Sequence, residues 1–145
     1  MKDVISLSKD DSAESAASLM VTQRIGCVII HGEDEKPIGI VTERDLVTKI
    51  VANNESSQIK LETIMSSPLI KVNETSSVAV AARQMTSNNI KRLPVTNRNG
   101  ILRGIITMSD VLRETISDPS ISDEDVVEYL TEALRIISKS AVRSP

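Results

Sequence analysis

The chain has 145 residues, a net charge of −3 and 26% charged side chains. This length suits one compact domain with a single core, and the acidic balance argues against a general nucleic-acid binder, which needs a basic surface. Phe and Trp are absent and Tyr129 is the only aromatic residue. A planar ligand would therefore be held by aliphatic side chains and backbone rather than by stacking on a ring.

The single cysteine, Cys27, excludes a disulfide within the chain, and together with the single histidine, His31, it leaves no set of zinc ligands. Apolar runs are shorter than the roughly 20 residues of a membrane span, and no signal-peptide core follows residues 1–3. We therefore expect a soluble, cytoplasmic protein in which Cys27 is buried as a small apolar residue and His31 is exposed in a turn.

The sequence contains an internal repeat. A shift of 65 positions places residues 66 to about 116 on residues 1 to about 51 without a gap, and most matched pairs are identical or both apolar. The identical pairs include Gly39 with Gly104, Thr42 with Thr107, and Asp45 with Asp110. Because one repeat of this size cannot bury its apolar face alone, we expect two motifs that share a core around a pseudo-two-fold axis.

Each motif begins with the same two predicted elements, a short strand and an amphipathic helix. The strands are predicted at residues 4–7 and 69–72. Ser12 or Asp11, and Ser77 or Ser76, can cap the helices because their side-chain oxygens accept the free N–H groups of a first turn. The i, i+3, i+4, i+7 spacing predicts buried faces at Ala13, Ala16, Ala17 and Met20, and at Val78, Ala81, Ala82 and Met85.

Two hairpins and a second helix complete the motifs. The hairpin strands are predicted at residues 27–30 and 38–41, and again at 92–95 and 102–106. Pro94 has no N–H group, so its strand is expected to lie at a sheet edge or to be irregular there.

Beyond the repeat, Ser122 can cap a C-terminal helix with an acidic first turn. Its apolar stripe comprises Val126, Val127, Leu130, Ala133, Leu134 and Ile137. We divide the chain into a first motif at 1–55, a linker at 56–64, a second motif at 65–118 and a C-terminal amphipathic helix at 119–145.

The most informative segments are residues 39–45 and 104–110, in which a Thr at a strand end is followed three positions later by Asp. A hydroxyl and a carboxylate beside the free N–H groups of a helix N-terminus suit a sugar diol next to a phosphate. The same Thr and Asp also stabilise the start of a helix with nothing bound. A single copy of this pattern therefore does not distinguish a binding role from a structural one.

The two motifs resemble a tandem pair of CBS domains, the module named after cystathionine β-synthase. The resemblance covers residues 1 to about 118 and is particularly close at residues 64–68, 89–95 and 104–110. It implies an α/β fold of the α+β type, with two β-α-β-β-α motifs and a C-terminal helix outside them. It also implies adenosyl ligands in two clefts between the motifs.

The resemblance assigns each cleft to residues of both motifs. The first cleft would combine Ile40, Thr42, Arg44 and Asp45 with Ile70, Lys91 and Arg92. The second cleft would combine Ile105, Thr107 and Asp110 with Ile5, Gly26 and Cys27. In this assignment the Asp binds ribose hydroxyls, the Thr binds a ribose or phosphate oxygen, and the aliphatic residues contact adenine. Lys91 and Arg92 would bind phosphate, and the matching Gly26 and Cys27 cannot.

The sequence favours a regulatory module that binds AMP, ADP or ATP, with no further cofactor and no metal. No enzymatic site is expected, because His31 is the only histidine that could serve as a base. A homodimer is expected to form through the second helices and the tail, and to act on an unidentified regulated protein. Two alternatives are an S-adenosylmethionine-type ligand and a dimerisation scaffold with degenerate clefts. Nucleic-acid binding by Arg92, Arg98 and Arg103 is disfavoured by the acidic net charge.

Overall fold

The computed structural model describes residues 4–117, 119–122, 124–125, 128 and 131. The chain divides into two compact units. The first unit comprises residues 4–69 and 100–102, and the second comprises Ile70–Asn99 and the described residues from Arg103 onward. The fold is α+β, with two three-stranded sheets and helices beside them, as the sequence predicts.

The first unit contains a sheet of order β1-β2-β3, in which β1 is parallel and β3 antiparallel to the central strand. Its elements are β1 (Ser6–Ser8), α1 (Ala13–Gln23), β2 (Cys27–His31), β3 (Pro37–Thr42), α2 (Glu43–Asp45), a π-helical continuation (Leu46–Val51) and α3 (Leu61–Ile64). Their apolar faces meet in one core of Ala13, Ala16, Met20, Val28, Ile30, Val41, Ile50, Leu61 and Ile64.

The second unit repeats this plan with a sheet of order β4-β5-β6. Its elements are β4 (Val72–Asn73), α4 (Val78–Asn88), β5 (Arg92–Thr96), β6 (Leu102–Thr107) and α5 (Met108–Ser117). The core of this unit contains Val72, Ala81, Ala82, Met85, Leu93, Val95, Met108 and Val111. An aliphatic core without aromatic rings is what the composition predicts.

The serine caps confirm the predicted helix starts. The Ser12 hydroxyl accepts the Ser15 N–H at 3.1 Å, and the Ser77 hydroxyl accepts the Val80 N–H at 3.2 Å. The repeat extends to the helix ends, because both α1 and α4 are followed by a left-handed residue, Arg24 or Asn89. Matched sequence positions therefore adopt matched backbone conformations at both ends of these helices.

The predicted bounds of the first strands are wrong, because β1 begins at Ser6 and β4 at Val72, two and three residues later than predicted. In β1–β2 the Ile29 N–H donates to the Ile5 carbonyl at 3.0 Å. The position that matches Ile29 in the repeat is Pro94, which has no N–H to donate to the carbonyl of Ile70. The β4–β5 pairing accordingly starts one residue after Pro94, at Val72 opposite Val95, and continues only to Asn73.

Pro94 itself lies in the central strand of its sheet and is fully buried, so the expectation of an edge strand is wrong. The alternative expectation of local irregularity fits the late start of β4. The missing N–H is accommodated by shortening the neighbouring strand, and β5 keeps its place between β4 and β6.

The connecting segment, residues 56–66, packs into the first unit. Its backbone pairs with the region before α1, since the Ala13 N–H donates to the Ile59 carbonyl and the Leu61 N–H to the Asp11 carbonyl, each at 2.9 Å. Leu61 is fully buried and Ile64 is 3% exposed. The predicted linker is therefore polar at its start and part of a hydrophobic core at its end.

The predicted C-terminal helix falls largely outside the described residues, including its whole apolar stripe. Within the described part, the Asp125 N–H donates to the Ser122 hydroxyl at 3.1 Å, as expected for a helix cap. Ile121, just before this cap, packs against the core of the second unit.

Candidate functional site

The first pair of candidate site residues lies where β3 meets α2. The Thr42 N–H donates to Asp45 Oδ2 at 2.9 Å, and the Asp45 N–H donates to Thr42 Oγ1 at 3.3 Å. The Thr42 hydroxyl donates to the same Oδ2 at 3.1 Å. These reciprocal bonds form a capping box, and they fix a carboxylate whose side chain is 13% exposed.

The second pair has the same geometry where β6 meets α5. The Thr107 N–H donates to Asp110 Oδ2 at 3.0 Å, and the Asp110 N–H donates to Thr107 Oγ1 at 3.2 Å. The Asp110 side chain is 16% exposed. The helix-stabilising role expected of the Thr-x-x-Asp pattern is therefore present in both motifs, and it uses Oδ2 of each carboxylate.

The other oxygen of each carboxylate faces a cation that the sequence interpretation missed. Lys49 Nζ lies 3.2 Å from Asp45 Oδ1, and Arg113 Nη1 lies 3.5 Å from Asp110 Oδ1. Lys49 also donates to the Ile64 carbonyl at 2.7 Å. The i, i+4 and i, i+3 spacings on a helix are signals that could have indicated both ion pairs.

The residue before each second strand touches the start of the second helix. The Gly26 carbonyl accepts the Glu43 N–H at 3.1 Å in the first unit, and the Lys91 carbonyl accepts the Met108 N–H at 2.8 Å in the second. Lys91 and Arg92 are both exposed, and the backbone of Lys91 contacts the N-terminal turn of α5. The difference between Gly26-Cys27 and Lys91-Arg92 falls at structurally matched positions, so the two helix starts have different charge.

The remaining candidate residues are distributed between the two units. Ile40 is hydrogen-bonded on its outer side to Ser66, through bonds of 3.2 and 2.9 Å. Ile105 is 6% exposed, and Ile70 packs against the core of the second unit. The first unit holds Ile5, Gly26, Cys27, Ile40, Thr42, Arg44 and Asp45. The second unit holds Ile70, Lys91, Arg92, Ile105, Thr107 and Asp110. The assignment of these residues to two clefts stays a prediction.

Gly39, at the start of the first informative segment, lies under the connecting segment. A Cβ atom at this position would lie 2.6 Å from Met65 Sδ and 3.0 Å from the Ser66 carbonyl oxygen. Real Cβ atoms essentially never come within 2.6 Å of another atom, and the tight 3.0 Å contact is to the Ser66 oxygen, which belongs to the backbone that bridges Ile40. The glycine of this segment therefore allows the close approach of the connecting segment.

Two further expectations have different outcomes. Cys27 is buried, which confirms its expected placement. His31 is not in the exposed turn but is the half-buried last residue of β2, with Nδ1 at 3.1 Å from the Gly32 carbonyl oxygen. A bulge between Ile30 and His31 extends the strand by one residue beyond the predicted turn boundary.

In the part of the chain that the structure describes, no three His, Cys, Asp or Glu side chains are grouped so that they could hold a metal ion. No described helix combines the length and the apolar character needed to cross a bilayer.

The comparisons with known proteins agree with the architecture. The CBS domain family model matches residues 1–52 and again residues 61–117. The chain belongs to the CBS domain family, and it carries two CBS domains in tandem.

Relatives of known structure share the fold. A CBS domain protein of Pyrobaculum aerophilum, solved in complex with AMP, is 26% identical, with a TM-score of 0.69 and coverage of 90% of this chain and 94% of that one. A CBS-domain containing protein of Agrobacterium tumefaciens is 30% identical, with a TM-score of 0.66 and coverage of 77% and 89%.

Among curated sequences, an uncharacterized protein of Methanopyrus kandleri is 42% identical over 113 residues, which are 77% of this chain and 58% of that protein. The first curated relatives are longer than the matched region, which spans from 30% to 58% of their length.

Proposed function

We propose that this chain is a non-catalytic, ligand-sensing module that binds an adenine nucleotide, AMP, ADP or ATP. The observation that carries the proposal is the pair of identical capping boxes, Thr42 with Asp45 and Thr107 with Asp110. Each box fixes a largely buried carboxylate at the N-terminal turn of a helix.

A fixed carboxylate is a good acceptor for the two hydroxyls of a ribose. Ionised carboxylates offer about four acceptor positions on two oxygens, and bonds to them are stronger than bonds between neutral groups. The capping bonds use Oδ2 in both motifs, while Oδ1 lies beside Lys49 or Arg113. In the first motif a diol can therefore be accepted on Asp45 Oδ1 while the capping bonds to Oδ2 stay in place.

The charge beside the second motif's helix start suits a phosphate group. Lys91 and Arg92 are exposed there, and the Lys91 backbone is bonded to the first residue of α5. The sequence-based assignment groups these two cations with Asp45, and two cations favour a phosphate group. A relative with the same fold binds AMP, which supports an adenine nucleotide over other ligands that carry a diol and a phosphate.

The proposal is tested by calorimetric titration of AMP, ADP, ATP, adenosine and S-adenosylmethionine. Asp45→Ala is expected to weaken nucleotide binding by about 1 to 3 kcal/mol, the range for losing a hydrogen bond to a charged group. Asp34→Ala, which removes an exposed carboxylate from the β2–β3 turn, is the matched control and should bind as the wild type does.

Three results would contradict the nucleotide proposal. The first is a wild-type protein that binds none of the nucleotides, and the second is a folded Asp45→Ala variant with unchanged affinity. The third is a preference for S-adenosylmethionine over all three nucleotides, which would assign the module to that ligand class.

We further propose that the module acts as a homodimer and passes ligand occupancy to a regulated protein. Exposed apolar side chains on the second helices support this, since Val47 and Val51 are 58% and 74% exposed and Ile116 is 63% exposed. Two-fold dimers are the commonest soluble assembly. Light scattering at tens of micromolar protein should give the dimer mass, and a monomer mass would refute the dimer.

A further inference from the structure

We infer that Lys49 is a positioning residue that couples the Asp45 carboxylate to the connecting segment. A ligand bound by Asp45 then weakens the hydrogen bond between Lys49 and that segment. The identity of the ligand rests on the proposed function. The coupling itself rests on the contacts of the first unit.

The Lys49 ammonium group bridges two parts of the chain. Its Nζ lies 3.2 Å from Asp45 Oδ1 and 2.7 Å from the carbonyl oxygen of Ile64, the last residue of α3. An ammonium group has three donors, so it can make both bonds at once. One side chain therefore ties the candidate ribose-binding carboxylate to the end of the connecting segment.

The Lys49 bridge connects Asp45 to a part of the connecting segment that is buried and hydrogen-bonded. Ile64 is 3% exposed and belongs to the core of the first unit. The next two residues are held by backbone bonds, from the Met65 N–H to the Leu61 carbonyl and from the Ser66 N–H to the Ile40 carbonyl, each at 2.9 Å. A shift of the Ile64 carbonyl should therefore disturb the hydrogen bonds of the Met65 and Ser66 amides, and the exchange of each amide can be measured separately.

A diol on Asp45 would compete with this bridge. Oδ2 already accepts two hydrogen bonds from Thr42, so a ribose hydroxyl is expected to donate to Oδ1. The hydroxyl oxygens are also acceptors for the Lys49 ammonium group. The Lys49 side chain is 41% exposed, so this group can move towards them. The bond from Lys49 to the Ile64 carbonyl is weakened as a result.

The second motif lacks the residue that makes this bridge. The position that matches Lys49 in the repeat is Glu114, whose charge is opposite. One cation beside Asp110 is Arg113, whose Nη1 lies 3.5 Å from Oδ1 and whose side chain is 70% exposed. Among the described residues this bridge is found in the first motif, and Arg113 provides a matched control.

Hydrogen exchange measured by NMR on the full chain tests the coupling without any ligand. Lys49→Met and Asp45→Asn should each speed exchange of the Met65 and Ser66 amides by about fivefold, the equivalent of one hydrogen bond. Lys49→Arg should restore slow exchange, and Arg113→Met should leave both amides unchanged. Wild-type exchange rates in both Lys49→Met and Asp45→Asn would overturn the coupling.

Adenosine and AMP then test the link to the ligand. AMP should speed exchange of the same amides in the wild type and have no such effect in Lys49→Met. Lys49→Met should weaken adenosine binding about fivefold but leave 2′,3′-dideoxyadenosine binding unchanged, since only the diol meets Asp45. An equal loss for both nucleosides would overturn the positioning role. A wild type that binds no nucleotide would refute the proposed function, while the ligand-free rates would still decide the coupling.

Discussion

The two motifs build the same helix start and surround it with different charges. In the first motif the box of Thr42 and Asp45 is next to Gly26 and is bridged by Lys49 to the connecting segment. In the second motif the matching box is next to Lys91 and Arg92, and Arg113 contacts its Asp. The capping bonds are common to both motifs, and the cations around them differ.

The sheets differ for a simpler reason. The first motif has an N–H at Ile29 that extends the pairing of β1, while the second has Pro94 at the matching position and a two-residue β4. A single side-chain type therefore shortens one strand without changing the order of the sheet.

Ile29→Pro is expected to destabilise the protein most, because it gives the first motif the proline of the second. Ile29 is fully buried, and its replacement by Ala should cost about 2 to 5 kcal/mol. The proline should cost about 1 to 3 kcal/mol more, because the Ile5 carbonyl loses its donor. Urea unfolding of Ile29→Pro and Ile29→Ala measures the difference, and equal stabilities would show that this bond contributes nothing.

Leu61→Ala tests whether the connecting segment belongs to the core of the first motif. Leu61 is fully buried, so we expect a loss of about 2 to 5 kcal/mol in the free energy of unfolding. Val21→Ala removes an apolar side chain that is 78% exposed and should change stability by less than about 0.5 kcal/mol. If both variants unfold at the same urea concentration, the connecting segment does not stabilise this core.

Gly39→Ala examines the close approach of the connecting segment to β3. The new Cβ would clash with Met65 and with the Ser66 carbonyl, so we expect destabilisation of about 1 to 3 kcal/mol by thermal unfolding. Gly32→Ala is the matched control, because a Cβ there meets the Ile38 side chain at 3.4 Å. A Gly39→Ala protein as stable as Gly32→Ala would contradict the packing described for this segment.

A smaller effect distinguishes the motifs at high pH. The carboxylates of Asp10 and then Glu62 raise the pKa of Lys9 above its usual value of 10.5. The matching residue, Glu74, is paired with Arg103. The pKa of Lys9 is higher in the folded protein than in the unfolded chain. Its contribution to folding stability is therefore complete below its pKa in the unfolded chain and is lost as the pH rises through its pKa in the folded protein.

Unfolding of wild type and Lys9→Met as the pH rises through that window measures this contribution. We expect a small stability gap that closes with rising pH. If the stability difference between wild type and Lys9→Met stays constant as the pH rises, the assigned charge interaction of Lys9 is contradicted.

The repeat and the local caps could be predicted from the sequence, because they depend on residues a few positions apart. Ser12, Ser77 and the two Thr-x-x-Asp boxes all act within one helical turn, and each was found where the spacing predicts it. The aliphatic helix faces follow from the same local periodicity.

Contacts that depend on the path of the chain could not be predicted in this way. The bond from Lys49 to the Ile64 carbonyl exists because the connecting segment folds back onto β3, which the polar start of that segment does not indicate. The central position of Pro94 was also missed. The sheet tolerates the missing N–H donor there because the neighbouring strand, β4, starts pairing only after Pro94. In both cases the deciding partner lies in another element.

The most direct test of phosphate recognition by Lys91 and Arg92 compares charged and uncharged ligands on a variant that lacks both side chains. Calorimetry should show that Lys91→Ala combined with Arg92→Ala lowers the affinity for ADP and ATP by about tenfold or more and leaves the affinity for adenosine within about twofold. Arg83→Ala combined with Arg98→Ala removes the same charge elsewhere in the second unit and should leave all three affinities unchanged. An equal loss for adenosine and ATP in the Lys91 and Arg92 variant, or no loss for either, would contradict phosphate recognition by this motif.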